Sequence, residues 1–154
     1  MKCPRTLAAA LTATVTAACV VGIAGAAEAV PTICTDRGYT NGRHVTIDND
    51  NNGGGAYVDA NICWRRIGNG NYYTLTRYHV WDTKANGAGA TPRLEWTGLD
   101  SGNPYYFVPD SQYRAWNNGD TVSAEIEYNN IQGLYIRACL TNGNRPAHHC
   151  GPKA

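Results

Sequence analysis

The chain has 154 residues, with 13 Lys and Arg against 12 Asp and Glu and a formal net charge of +1. That balance argues against a nucleic-acid binder, which needs a basic face to engage phosphates, and gives no reason to expect attraction to anionic lipid. Six cysteines, ten tyrosines and four tryptophans beside 17 glycines point to a small domain whose apolar surface is buried by side chains that suit pleated strands.

At the N-terminus Lys2 and Arg5 precede a run of Ala, Leu, Thr and Val from Leu7 to Ala26, and Ala27-Glu28-Ala29 supplies the small-x-small site that a signal peptidase needs. The expectation is a signal peptide over 1–29, then a single domain over 30–154 of about 125 residues, secreted and extracellular. A retained membrane anchor is the competing reading, because the apolar run approaches the roughly 20 residues that span a bilayer. Its Ala, Thr and Gly content and its closing cleavage site favour export. Thr16-Ala17-Ala18-Cys19 has an outline of a lipoprotein processing site, but the residues after Cys19 stay apolar where a lipoprotein turns polar. Cleavage would remove Cys3 and Cys19 and keep an even four, Cys34, Cys63, Cys139 and Cys150, which read as two disulfides. It would also remove Lys2, Arg5 and Glu28, leaving equal numbers of basic and acidic residues.

Turn signals rich in Asn and Gly then separate short β-prone runs. Arg43 to Asp48 precedes the turn Asn49 to Gly55. Ala56 to Trp64 places Ala56, Val58, Ala60, Ile62 and Trp64 inward, with Asp59, Asn61 and Arg65 outward, and is expected to pair with the first run across that turn. Tyr72 to Asp82, Arg93 to Thr97 and Tyr105 to Val108 follow. Thr121 to Tyr128 alternates cleanly, as does Leu134 to Leu140, and the short turn between them predicts a hairpin. No helix is expected. These runs predict an all-β fold, a small antiparallel β-sandwich of about seven strands with two disulfides, with a closed barrel as the alternative.

Of the three ways to pair four cysteines the sequential one is preferred. Cys139 to Cys150 would staple a C-terminal hairpin around Asn142-Gly143-Asn144, and Cys34 to Cys63 would tie the irregular N-terminus to a central strand. Closures of about 12 and 30 residues contribute roughly 3 and 3.5 kcal/mol on a loop-entropy model.

Asp48, Asp50 and Asn52, with Gly53 and then Asp59 eleven positions after Asp48, match the oxygen spacing of an EF-hand-type calcium loop. Calcium is therefore the one cofactor this spacing offers, against an Asn/Asp/Gly hairpin turn flanked by strands. Glu125 and Glu127, two apart on a strand, stand about 7 Å apart and invite comparison with glycosidase carboxylates. The plain alternative is a solvated strand face. His44, His79, His148 and His149 are the only histidines, and no nucleophile elbow, H-E-x-x-H or C-x-x-C accompanies them. His148-His149-Cys150 would be a metal tail only with Cys150 reduced.

The aromatic clusters carry the binding expectation: Tyr72, Tyr73, Tyr78 and Trp81, and Tyr105, Tyr106, Tyr113 and Trp116. Exposed Tyr and Trp beside Asn and Gly are used as anchors at protein interfaces, and aromatic platforms also suit sugars. In each doublet adjacent residues point to opposite faces.

The segment Tyr135-Ile136-Arg137-Ala138-Cys139 followed by Cys150-Gly151, with the early Asp/Asn turn leading into Ala56-Tyr57-Val58, resembles a broad group of small secreted actinobacterial β-proteins. In size, export and β-rich disulfide character the chain is similar to the small adaptor subunit of secreted umbrella toxin particles, which joins a lectin to a larger toxin chain. No functional residue of that adaptor is carried over here. The expected function is a secreted, non-catalytic protein-binding module, as adaptor subunit or as inhibitor of an extracellular enzyme, with a secreted or cell-surface protein as partner. A carbohydrate-binding module, with or without calcium, is the second reading, and a small glycoside hydrolase the third.

Overall fold

The structure is a computed structural model describing residues 29–68, 70–98 and 104–154. The signal peptide expected over 1–29 lies, except for Ala29, outside the described residues. A single-turn helix α1 (Thr32–Asp36) leads into β1 (Asn41–Asp48), β2 (Ala56–Gly68), β3 (Asn71–Asp82), β4 (Gly89–Gly98), β5 (Pro104–Phe107), β6 (Thr121–Asn142) and β7 (Arg145–His148). The strands pair antiparallel in the order β1-β2-β3-β6-β4-β5, with β7 added beside β6. Both sequential disulfides are present, Cys34–Cys63 and Cys139–Cys150.

The 22-residue β6 organises the molecule. Its first part pairs with β3, from Thr121 opposite Trp81 to Tyr128 opposite Thr74. Its second part pairs with β4, from Gln132 opposite Thr97 to Thr141 opposite Gly89. Between them Asn130 and Gly133 both adopt φ 56°, and the register slips on both partners, between Tyr72 and Thr74 and between Glu95 and Thr97. Such bulges bend a strand and raise its twist, which folds one sheet into two facing layers. The expected hairpin between Thr121 to Tyr128 and Leu134 to Leu140 is thereby corrected. The Asn/Gly segment bends the chain without reversing it, because β3 and β4 supply ladder partners on either side of the bend.

The facing layers bury Val58, Ala60 and Ile62 of β2, Tyr78 and Val80 of β3, Ala90 of β4, and Ile136, Ala138 and Leu140 of β6 in one core. Each of the Val, Ile and Leu side chains among them contributes roughly 1.5 to 3 kcal/mol. A smaller cluster forms on the outer face of β2 and β3, where Cys34, Tyr39, Cys63 and Leu75 are packed by Val30 and Ile33. Helix α1 sits there, a correction to the expectation of no helix. Its five residues are too few to show a period in sequence, and the disulfide to Cys63 holds it. A Cβ at Gly42 would collide with Cys34 Sγ, so glycine lets β1 pass close beneath.

The C-terminal segment lies along β6. Ile136 and Ala154 exchange backbone hydrogen bonds of 3.0 and 3.1 Å, and Gly151 N–H donates to Ala138 O at 2.8 Å. Asn49, wholly buried, ties this segment to the β1–β2 loop. Its amide nitrogen donates to His149 O at 2.8 Å, and its oxygen accepts Ala56 N–H at 2.8 Å. Among the described residues no helix is long and apolar enough to cross a membrane.

Candidate interaction surface

The fold scatters the predicted aromatic residues. Tyr78 is corrected to the core: it is fully buried, and its hydroxyl donates to Tyr113 O at 3.2 Å. Burial drives its phenol well above the ordinary range, further than the nearby Arg114 can offset. On the outer face of β2 and β3, Trp81 packs edge-on to Tyr57 at 5.4 Å, and Tyr73 lies under the Arg65 guanidinium at 4.6 Å. Near the 3-10 turn Ser111–Tyr113, Tyr113 and Trp116 are exposed, the Trp116 indole donating to Ser111 O at 2.8 Å. The side chain of Tyr105 lies outside the described residues. The two clusters expected from sequence thus do not form one patch.

A different set does converge, on the outward face of β4, β5 and the second half of β6. Glu95 stands opposite Tyr106 on one side and Tyr135 on the other, so a single row crosses three strands. Tyr106 is 64% exposed and Tyr135 40%. Arg93 lies 4.3 Å from the centroid of the Tyr106 ring, while Lys153 and Arg43 approach Tyr135 at 5.5 and 5.7 Å. Cations at such distances are attracted to the ring face and hold it in place.

Glu95 is the hub of this row. It is buried to 7% exposure and meets Arg93 at 3.1 Å, Arg137 at 3.0 Å and Lys153 at 2.8 Å. Burial works to raise its pKa, but the Lys153 hydrogen bond and the charges of Arg137 and Arg93 prevail, holding the carboxyl below its ordinary value. It is an ionised anchor here, which suits it to fixing cations and not to donating protons.

Beside Tyr135, the bend of β6 opens a cleft of about 200 Å³ whose walls include Ile62, Trp64, Tyr72, Ile131, Leu134 and Arg43. The predicted Tyr72 therefore does contribute to a concave surface. Arg43 donates to Leu134 O at 3.1 Å, and its Nε, shut off from solvent, has no acceptor among the described residues. Of the residues on this face and in its cleft, Tyr72 and Tyr106 stand out in the sequence as candidate anchors, whereas Tyr135, Arg93, Glu95, Arg137 and Lys153 do not. One signal was available: inward Leu134, Ile136 and Ala138 force Tyr135 and Arg137 outward.

The remaining candidates are engaged separately. Asp48 accepts Asp50 N–H at 3.0 Å, Asp50 pairs with Lys84 at 3.3 Å, Asn52 donates to Cys150 O at 3.2 Å, and Asp59 pairs with His44 at 2.9 Å. These four do not come together, and among the described residues no group of three His, Cys, Asp or Glu is placed to hold a metal. Asp59 points out of the sheet beside β1 while the loop closes on the C-terminal segment, a separation that linear spacing does not reveal. Glu125 is bridged by Arg37 and Arg77, which occupies the carboxylate expected to pair with Glu127.

The chain matches no family model, no curated protein and no solved structure.

Proposed function

We propose that this is a secreted, non-catalytic protein-binding module, an adaptor subunit or an inhibitor of an extracellular enzyme, and that it engages its partner through the Tyr106–Glu95–Tyr135 row and the adjoining cleft. One observation carries the reading: two exposed tyrosines are held by cations on a rigid sheet, beside a concavity lined by Trp64 and Tyr72. Tyr, Trp and Arg supply most interface hot spots, and pre-fixed rings lose little entropy on binding. Two disulfides fit an oxidising compartment, in keeping with export. The adaptor role follows the resemblance to small secreted β-proteins noted above.

The test is co-elution of the protein from its own culture supernatant with a larger secreted chain, identified by mass spectrometry. The Tyr106→Ala/Tyr135→Ala double variant should elute alone. Retention of the same partner by that variant would remove this surface from the reading.

A second reading, carbohydrate binding, is favoured by the outer face of the first layer. There Tyr57 and Trp81 form a ring pair flanked by Asp59, His44, His79 and Ser123, the last two 2.5 Å apart. Retention on insoluble polysaccharide, lost in Trp81→Ala, is the measurement that would move the site there.

A further inference from the structure

We infer that the partner of the Tyr106–Tyr135 face presents an acidic segment bearing one large apolar side chain. Its carboxylates would lie along Arg93, Arg137 and Lys153, and its apolar side chain would enter the cleft at the β6 bend. The inference rests on the protein-binding reading above and adds the chemistry of what is bound.

Charge is the first argument. Arg93, Arg137 and Lys153 all share the single carboxylate of Glu95, and Arg43 stands at the other side of Tyr135. Four cations facing one buried anion leave a local excess of positive charge, on a chain whose total is only +1. The excess is therefore a property of this face. The cations remain partly open, with side-chain exposures of 30% for Arg93, 26% for Arg137 and 42% for Lys153, against 9% for Glu95. An incoming carboxylate meets donors whose positions Glu95 and the tyrosine rings have already fixed, which favours charge-assisted hydrogen bonds.

The cleft is the second argument. Its volume of about 200 Å³ corresponds to about seven waters at roughly 30 Å³ each, room for one large side chain. Tyr135 and Arg43 belong both to the cleft wall and to the cation cluster, so the apolar and acidic parts of a ligand would be adjacent along one chain. A nucleic acid or sulfated polysaccharide would use the charge but leave the cleft unfilled.

The test uses the full disulfide-bonded exported chain in NMR titrations with the synthetic peptide Glu-Glu-Trp-Glu-Glu, its all-Gln counterpart, a peptide with Ala in place of Trp, and a heparin fragment. The acidic Trp peptide should bind and shift resonances of Tyr135 and Leu134. The Gln and Ala peptides should bind at least about tenfold more weakly. Lys153→Glu, at an exposed position, should weaken the acidic peptide about tenfold and reduce the salt dependence of binding. Equal affinity for the Gln peptide, an unaffected Lys153→Glu variant, no peptide binding, or binding of heparin alone would overturn the inference. If Lys153→Glu keeps the natural partner while Tyr106→Ala/Tyr135→Ala loses it, protein binding stands and the acidic segment falls. If both variants keep the partner, the acidic segment and this surface both fall, and protein binding moves to another face.

Discussion

Arg93 and Arg137 stand directly opposite each other on β4 and β6, two like charges in cross-strand register. Such a pair is destabilising by itself. Glu95, two residues along β4, reconciles them by contacting both, at 3.1 and 3.0 Å. A surface that concentrates cations around tyrosine rings is thus built on one carboxylate.

Replacing Glu95 with Gln removes the counter-charge while leaving the three cations packed together. Values for exposed and for fully buried pairs bracket the cost, which should be about 2 kcal/mol in chemical denaturation at neutral pH. The folded carboxyl titrates below its ordinary value of 4.5, so the unfolded chain takes up this proton first. Its stabilisation is complete above that value and is lost as pH falls through the folded pKa. Glu95→Gln should lack this acid-dependent component, and an unchanged pH profile in the variant would show that Glu95 does not supply it.

His148 gives a second pH dependence at a higher range. Burial lowers its pKa from 6.5, with the charges of His149 and Arg145 adding to the effect. The unfolded chain therefore protonates more readily, and stability should decline as pH falls below 6.5 toward the folded value. His148→Asn should flatten that decline in thermal melts measured from neutral to mildly acidic pH.

Asn49 has a structural role that its turn-rich neighbourhood conceals. It joins Ala56 N–H to His149 O across the β1–β2 loop and the C-terminal segment while wholly buried. Asn49→Ala strands the buried Ala56 N–H and the part-buried His149 O and should cost about 2 kcal/mol, read as a drop in the denaturant midpoint. Asp50→Asn, at an exposed residue of the same loop whose carboxylate pairs with Lys84, should cost under about 1 kcal/mol.

The Cys139–Cys150 bridge closes a separation of 11 residues and anchors the segment that carries Lys153. Cys139→Ala/Cys150→Ala should lose about 3 kcal/mol by loop closure. It should also raise amide exchange at Gly151 and Ala154, whose N–H groups bond to β6. Protection there equal to wild type would mean that the backbone pairing holds the segment without the staple.

The sequence was most legible where period-2 alternation is undisturbed. The alternation in Thr121 to Tyr128 and in Leu134 to Leu140 puts Val122, Ala124 and Ile126, and Ile136, Ala138 and Leu140, on one face each, and these residues pack on the core. It was least legible where a local signal has two outcomes. Asn129 to Gly133 reads equally as a reversal or as a bend, and the ladder partners on β3 and β4 made it a bend. The hairpin expected around Asn142-Gly143-Asn144 is present, with β7 paired to the end of β6, although Arg145 to His148 is only four residues long and carries no alternation of its own.

By itself the amino-acid order determined the strand class and the inward faces, because side-chain alternation is a property of neighbouring positions along the chain, while it left three pairings open for the four cysteines and the fold selected Cys34–Cys63 and Cys139–Cys150. Only the tertiary structure decided which outward residues stand together. Tyr106, Glu95 and Tyr135 come from three strands, and Lys153 from the C-terminal segment. Their adjacency depends on where β6 bends and on the register its bulges impose. Such long-range pairing leaves no period in the sequence, and it is what turns scattered tyrosines and arginines into one surface.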